Sequence, residues 1–260
     1  MVLLISRRES PITTLRAAAF LAESPLLGYR CTVYFGGMVE SRPYAVLFDL
    51  DGTLIDSIAL LLASMKHTFQ GRPRQPSDAE WIEGLGTPLP KQLTPYVESD
   101  EDRERLLNRY RTFQLENHDQ LMAQYAGVID ALALLYQRGH PLGVVTSKGN
   151  MMMERGLKFI GADDYIEVAI GYDSVHIHKP DPYPVRAALE KLGYESNEAV
   201  FVGDSPHDIK AGNDAGVITI AALWGPFTRS QLEPYKPTHF LDNIKELPSL
   251  LDRIATKNAG

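Results

Sequence analysis

From Gly127 to the end of the chain, segments with helical spacing alternate with short runs that are apolar on both faces. They read as helix "VIDALALLYQRG", strand "HPLGVVTS", helix "NMMMERGLKFIG", strand "IEVAIG", helix "DPYPVRAALEKLG", strand "EAVFVGDS", helix "HDIKAGNDAG" and strand "VITIAAL". A strand apolar on both faces is buried on both, and the intervening helices supply the crossovers that parallel strands need. The chain is thereby confined to an α/β fold with a doubly wound parallel sheet. An earlier run, "YAVLFDL" at 44–50, has the same texture and joins the same sheet. Ligands of such sheets bind beyond the carboxyl ends of the strands. The polar residues that end these runs, "DLD", "TSK" and "GDS", should then meet in one pocket although they lie far apart in sequence.

Between the first strand and Gly127 the pattern is different. "SIALLLASMKHTFQ" carries apolar residues at helical spacing, with Asp56 or Ser57 placed to cap its first turn. "RPRQPSDA" at 72–79 breaks the period, and the rest up to about Tyr125 reads as mostly helical, including "DAEWIEGLG", "LPKQLTPYV" and "ESDEDRERLLNRYRTFQLENH". The charge run is expected to be a solvated helix face. No strand-like run is visible between Leu54 and Pro141. Residues 58–124 are therefore expected to form an all-helical cap inserted into an α/β core made of residues 38–57 and 125–260. Residues 1–37 hold Arg7, Arg8, Arg16 and Arg30 but no lysine, and only Glu9 and Glu23 as acids. They read as a poorly ordered N-terminal extension, with a targeting leader as the alternative.

Charge and cysteine usage narrow the partners. Lysine and arginine total 26 against 33 acids, a net charge of −7, which gives no electrostatic case for nucleic acid. An anionic substrate would need local cations. The single cysteine, Cys31, allows no internal disulfide and suits a reducing, cytoplasmic setting. No apolar run reaches the roughly 18 to 20 residues that cross a bilayer. The best candidate, "LRAAAFLAESPLLGY", is broken by Glu23, Ser24 and Pro25, so no membrane partner is expected.

Asp49 and Asp51 end the first strand two residues apart, a spacing that puts both carboxylates on one side. Their repulsion can be offset by a divalent cation, by a shared proton or by dissimilar roles in a reaction. Three further pieces follow "DLDGT" (49–53) in order: "VVTS" (144–147), Lys179 in "HKPDP", and "VGDSPHD" (202–208). Each stands at an expected strand end or helix start. Together, over roughly residues 44–245, they resemble the four ordered motifs of the haloacid dehalogenase superfamily. "GLGTPL" at 84–89 and "AGNDAG" at 211–216 are similar to its phosphoglycolate phosphatase and pyrophosphatase branch, whose helical cap follows the first motif.

The resemblance implies a Rossmann-like core and a Mg²⁺-dependent phosphatase acting on a small phosphorylated metabolite, phosphoglycolate-like, or on pyrophosphate. Asp49 is then the nucleophile, since a carboxylate can form an aspartyl-phosphate and split one difficult step in two. Asp51 suits the acid and base that protonates the leaving oxygen and later activates water, and in the family its backbone carbonyl binds the metal. Gly52 would let backbone approach the phosphate. Thr146 offers a hydroxyl, and Ser147 a backbone N–H, to a phosphate oxygen, with helix capping as the other reading of Ser147. Lys179 would balance Asp49 and the phosphoryl group. Asp204 is expected to be a direct metal ligand and Asp208 a second one, direct or through water, while Ser205 caps the helix.

Lys148 is expected to face solvent. His176 and His178 are expected bystanders, because hard Mg²⁺ prefers oxygen. Arg72, Arg74 and Lys91 are cap cations that could read a second acidic group, though such residues are usually solvated. The aromatics of "WGPFTRSQLEPYKPTHF" should pack on the core. Two other functions share the scaffold: a β-phosphoglucomutase-like phosphotransferase and a catalytically silent phosphate-binding module. Dehalogenation is disfavoured, because that branch lacks the second aspartate and the acidic cluster present here.

Overall fold

Residues 42–258 are described in the computed structural model, and the expected extension at 1–37 lies outside the described residues. The chain enters through β1 (Ala45–Phe48), turns into the two-residue β2 (Ile55–Asp56), and runs through α1 (Ile58–Phe69), α2 (Asp78–Glu83), α3 (Leu89–Leu93) and α4 (Asp100–Leu121). It returns by β3 (Ala123–Gln124) to α5 (Val128–Gln137), β4 (Leu142–Val145), α6 (Asn150–Ile160) and β5 (Val168–Ile170). The remainder is α7 (Tyr183–Leu192), β6 (Ala199–Gly203), α8 (Pro206–Ala215), β7 (Ile218–Ala222), α9 (Arg229–Leu232), β8 (His239–Leu241) and α10 (Leu247–Asn258).

Six strands form one sheet in the order β5-β4-β1-β6-β7-β8, every adjacent pair parallel. Because successive strand residues point to opposite faces, β1 feeds two cores. Val46 and Phe48 pack with α5, α6 and α10 on one face, while Ala45 and Leu47 pack with α7 and α8 on the other. From β1 the chain steps outward to β4 and β5, then returns to β1's other side and continues through β6, β7 and β8. The order reverses at β1, and a crevice opens at its carboxyl end.

Helices α1–α4 have an apolar core of their own, built by Leu61, Met65, Phe69, Trp81, Leu93, Leu106, Leu107 and Tyr110. Arg72 ties its middle together: both terminal nitrogens donate to the Asp102 carboxylate, at 2.7 and 2.8 Å, and Nη2 also donates to the Tyr96 carbonyl. The expectation that Arg72 is free in solvent is thereby corrected. The reason is Asp102, which faces inward from a helix otherwise rich in exposed charge.

Two expectations about strands also change. Ile55–Asp56 and Ala123–Gln124 pair antiparallel where the chain leaves and re-enters the sheet domain, and they are too short to show a period in sequence. "VITIAAL" is not the last strand, because His239–Leu241 pairs with β7 in parallel register, Ile220 opposite His239. Of the aromatics before it, Phe227 is buried, Trp224 Nε1 donates to the Thr53 carbonyl, and Tyr235 is exposed. No helix among the described residues is long and apolar enough to cross a membrane.

Candidate active site

Asp49 is the first residue after β1, Thr146 the first after β4, and Asp204 the first after β6. Three neighbouring parallel strands therefore end on three polar side chains at the point where the sheet order reverses. Lys179 reaches in from the loop between β5 and α7, and Asp208 from the first turn of α8. The Lys179 ammonium is fully enclosed. It donates to Asp49 Oδ1 at 2.5 Å, to Asp208 Oδ1 at 2.6 Å and to the Val145 carbonyl at 3.0 Å. Ser205 caps α8 as expected, in a reciprocal box: its hydroxyl accepts from the Asp208 N–H, while Asp208 Oδ2 accepts from both the Ser205 N–H and hydroxyl.

Asp204 is held by Thr53, whose hydroxyl donates to its Oδ1 at 2.9 Å. Gly52 makes room for it. With φ at +87°, a Cβ on residue 52 would lie 2.5 to 2.9 Å from the Asp204 carboxylate atoms, which only glycine avoids. The Gly52 N–H is already used, donating to the Ile55 carbonyl.

Asp49, Asp204 and Asp208 are all buried, and each presents an oxygen within 4.8 Å of the others. One lysine faces three carboxylates. Burial pushes the Asp49 carboxyl up, from 3.8 to about 7, with Asp208 and Asp51 adding to the rise and Lys179 opposing it. Burial, then the Asp208 and Asp49 charges, push Asp204 well above the ordinary carboxylate range. Burial works against the Lys179 ammonium, but the Asp208 and Asp49 carboxylates outweigh it and hold its pKa above the usual lysine value. With all three carboxyls ionised the set would hold three negative charges against one positive, an excess of two that a divalent cation would neutralise and that, without one, favours the protonated forms. Clustered carboxylate oxygens are the donor type that Mg²⁺ takes.

Lys148 corrects the expectation of a solvent-facing side chain. Only 5 % exposed, it donates to both Asp51 carboxylate oxygens, at 2.7 and 2.9 Å. The short turn after β4 swings it inward rather than away from the sheet. Ser147 does not cap α6, whose N-cap is Gly149; its hydroxyl donates instead to the Gly86 carbonyl, at 2.6 Å. That bond joins the sheet domain to the helical insertion across the "GLGTPL" loop. Thr146 Oγ1 accepts from the Lys148 N–H. His178 stacks on Tyr172, 4.3 Å between ring centres.

A cavity of about 350 Å³ lies between the strand ends and the insertion. Asp49, Asp51 and Asp204 form part of its floor, and Leu85, Leu89 and Tyr110 part of its roof. The structure thus brings Asp49, Asp51, Thr146, Ser147, Lys179, Asp204 and Asp208 together, and adds Lys148 and Thr53. Both additions sit inside motifs visible in sequence, "TSK" and "DGT".

This geometry has counterparts. A family model described as haloacid dehalogenase-like hydrolase matches residues 46–222. The chain is 36 % identical over 211 residues to the pyrophosphatase PpaX of Bacillus velezensis, covering 81 % of this chain and 97 % of that protein. It is 38 % identical over 216 residues to the pyrophosphatase PpaX of Bacillus pumilus, covering 82 % and 99 %. In fold, it matches the crystal structure of a hydrolase from Pseudomonas syringae with a TM-score of 0.74 at 24 % identity, covering 81 % of this chain and 99 % of that one. A predicted phosphoglycolate phosphatase from Haemophilus somnus matches with a TM-score of 0.72 at 22 % identity, again covering 81 % and 99 %.

Proposed function

The chain belongs to the haloacid dehalogenase-like hydrolase family, as a phosphatase, and from that premise we propose that it is a Mg²⁺-dependent phosphohydrolase working through an aspartyl-phosphate on Asp49. The observation that carries this reading is the enclosed cluster of Asp49, Asp204 and Asp208 around the single ammonium of Lys179. Such a cluster is costly to bury for structural purposes alone.

Asp49, Asp204 and the Asp51 carbonyl are the proposed ligands, with Asp208 beside them, its two oxygens already accepting from Lys179 and Ser205. The ion would supply positive charge that draws the phosphoryl oxygens and the Asp49 carboxylate together. Asp49 Oδ forms a bond to phosphorus as the bond to the leaving oxygen breaks, and Asp51 gives that oxygen its proton. Water then attacks phosphorus, Asp51 takes a proton from it, and inorganic phosphate leaves with Asp49 restored. Lys148, on Asp51, fixes where that carboxyl points; Lys179 holds Asp49 and offsets charge on the phosphoryl oxygens. Thr146, Ser147 and the turn at Gly52 border the phosphoryl position.

The substrate is proposed to be a small phosphomonoester, phosphoglycolate-like, or pyrophosphate. The cavity volume and the pyrophosphatase relatives support a compact one. The test is turnover of p-nitrophenyl phosphate by purified protein. Activity is expected with Mg²⁺ and none in EDTA, and undiminished turnover in EDTA would refute the metal role. Absence of bisphosphate-dependent sugar phosphate isomerisation would separate water from a sugar as the acceptor.

A further inference from the structure

The cations near the cavity are mostly committed. Lys179 is bonded to Asp49 and Asp208, Lys148 to Asp51, and Arg72 to Asp102. Arg74 lies over the Tyr96 ring, and neither it nor Lys91 lines the cavity. Arg111 is different. It lines the cavity from α4, is exposed, and bonds to no described residue. Three residues on, and so on the same side of the helix, Gln114 also lines the cavity. It is only 7 % exposed, yet its amide has no hydrogen-bond partner among the described residues. The amide is not sealed from solvent, so its N–H and C=O groups are open to the cavity beside the unpaired Arg111 guanidinium, where a ligand can meet both.

We infer that Arg111 and Gln114 form a second anion subsite. The substrate class is then a compact molecule with two acidic groups: a phosphoryl group at the Asp49 end, and a second phosphate or a carboxylate at the α4 end. Arg111 would supply charge and paired donors, and Gln114 one N–H. The inference rests on the phosphohydrolase reading only in taking the Asp49 end as the phosphoryl position. Leu61, Leu89 and Met152, also on the cavity wall, offer nothing to a bulky polar group between the two ends.

Binding rather than turnover tests it, so that it can fail separately from the proposed chemistry. The full chain in excess Mg²⁺ is titrated calorimetrically with methylphosphonate, phosphonoacetate and methylenediphosphonate. The parent is expected to prefer at least one of the two-acid probes over methylphosphonate by roughly 10-fold or more, the scale of charge-assisted hydrogen bonds. Whichever is preferred tells carboxylate from phosphate. Arg111→Ala should bring that preference down by about 10-fold and Gln114→Leu by about 3-fold, with Arg111→Lys recovering part of the loss. Gln114→Leu keeps the bulk of the side chain, so folding should survive. A parent without the preference, or an unchanged preference in both Arg111→Ala and Gln114→Leu, overturns the subsite. If the preference is present and lost as expected while p-nitrophenyl phosphate is not hydrolysed, the subsite stands and the proposed reaction falls.

Discussion

Asp49→Asn is expected to abolish turnover while making the metal-free protein more stable. Asp49 is 4 % exposed, and burial, with Asp208 and Asp51 adding to it and Lys179 opposing, raises its carboxyl from 3.8 to about 7. Between those pH values the folded protein keeps a proton that the unfolded chain has already released. The stability this group carries at acid pH is therefore fully present below about 4 and is lost as pH climbs through about 7. The gap of 7 − 3.8 = 3.2, at 1.36 kcal/mol per pH unit, corresponds to about 4 kcal/mol of lost stability at pH 8. Asparagine has the same shape, carries no charge and can still accept from Lys179, but it forfeits the ionic part of that bond. About 2 kcal/mol of net gain is a reasonable share, or roughly 4–8 °C in Tm for a domain of this size. The assay is thermal unfolding of parent and variant in EDTA at pH 8 and at pH 4, with p-nitrophenyl phosphate turnover alongside. Mg²⁺ should then raise the Tm of the parent more than that of the variant. A variant no more stable than the parent at pH 8, or one with the same gain at both pH values, would show that Asp49 is not a strained, metal-seeking carboxylate.

Lys148→Met should lower kcat by roughly 10- to 100-fold, since the ion pair that fixes Asp51 is lost, and Lys148→Arg should restore part of it. A kcat within about 3-fold of the parent would remove Lys148 from the reaction. Gly52→Ala should reduce Mg²⁺-dependent turnover by roughly 100-fold or more and cost about 1–3 kcal/mol in urea unfolding, because the new methyl meets the Asp204 carboxylate at a positive φ. Activity within 2-fold of the parent would refute the packing argument.

The parts of the fold that could be read from sequence are those whose cause is local. A strand buried on both faces has to be apolar at every position, and β1, β4 and β6 are, so the sequence alone places their ends, and with them Asp49, Thr146 and Asp204. The two-residue β2 and β3 carry no period and leave no sign in the sequence, and β8 begins with a half-buried histidine that breaks the apolar run. The sequence is silent on the direction of Lys148 for a related reason. Its composition and position say only that it follows a strand end; the turn after Thr146 and the roof over it decide that it meets Asp51, across 97 residues of chain.

The helical insertion carries the same lesson further. In the charged run of α4, Arg103, Arg105, Arg109 and Arg111 are equivalent by residue type. What separates them is the rotation of the helix, which Leu106, Leu107 and Tyr110 fix by packing against Leu61, Met65 and Phe69 of α1. That packing leaves Arg109 bonded to the His67 carbonyl and turns Arg111 and Gln114 to the cavity. The chemistry proposed at phosphorus thus draws on short motifs at strand ends, each readable alone. The proposed choice of substrate would be set by which face of a helix an unrelated apolar core turns toward them, and that becomes visible only when the helix is docked.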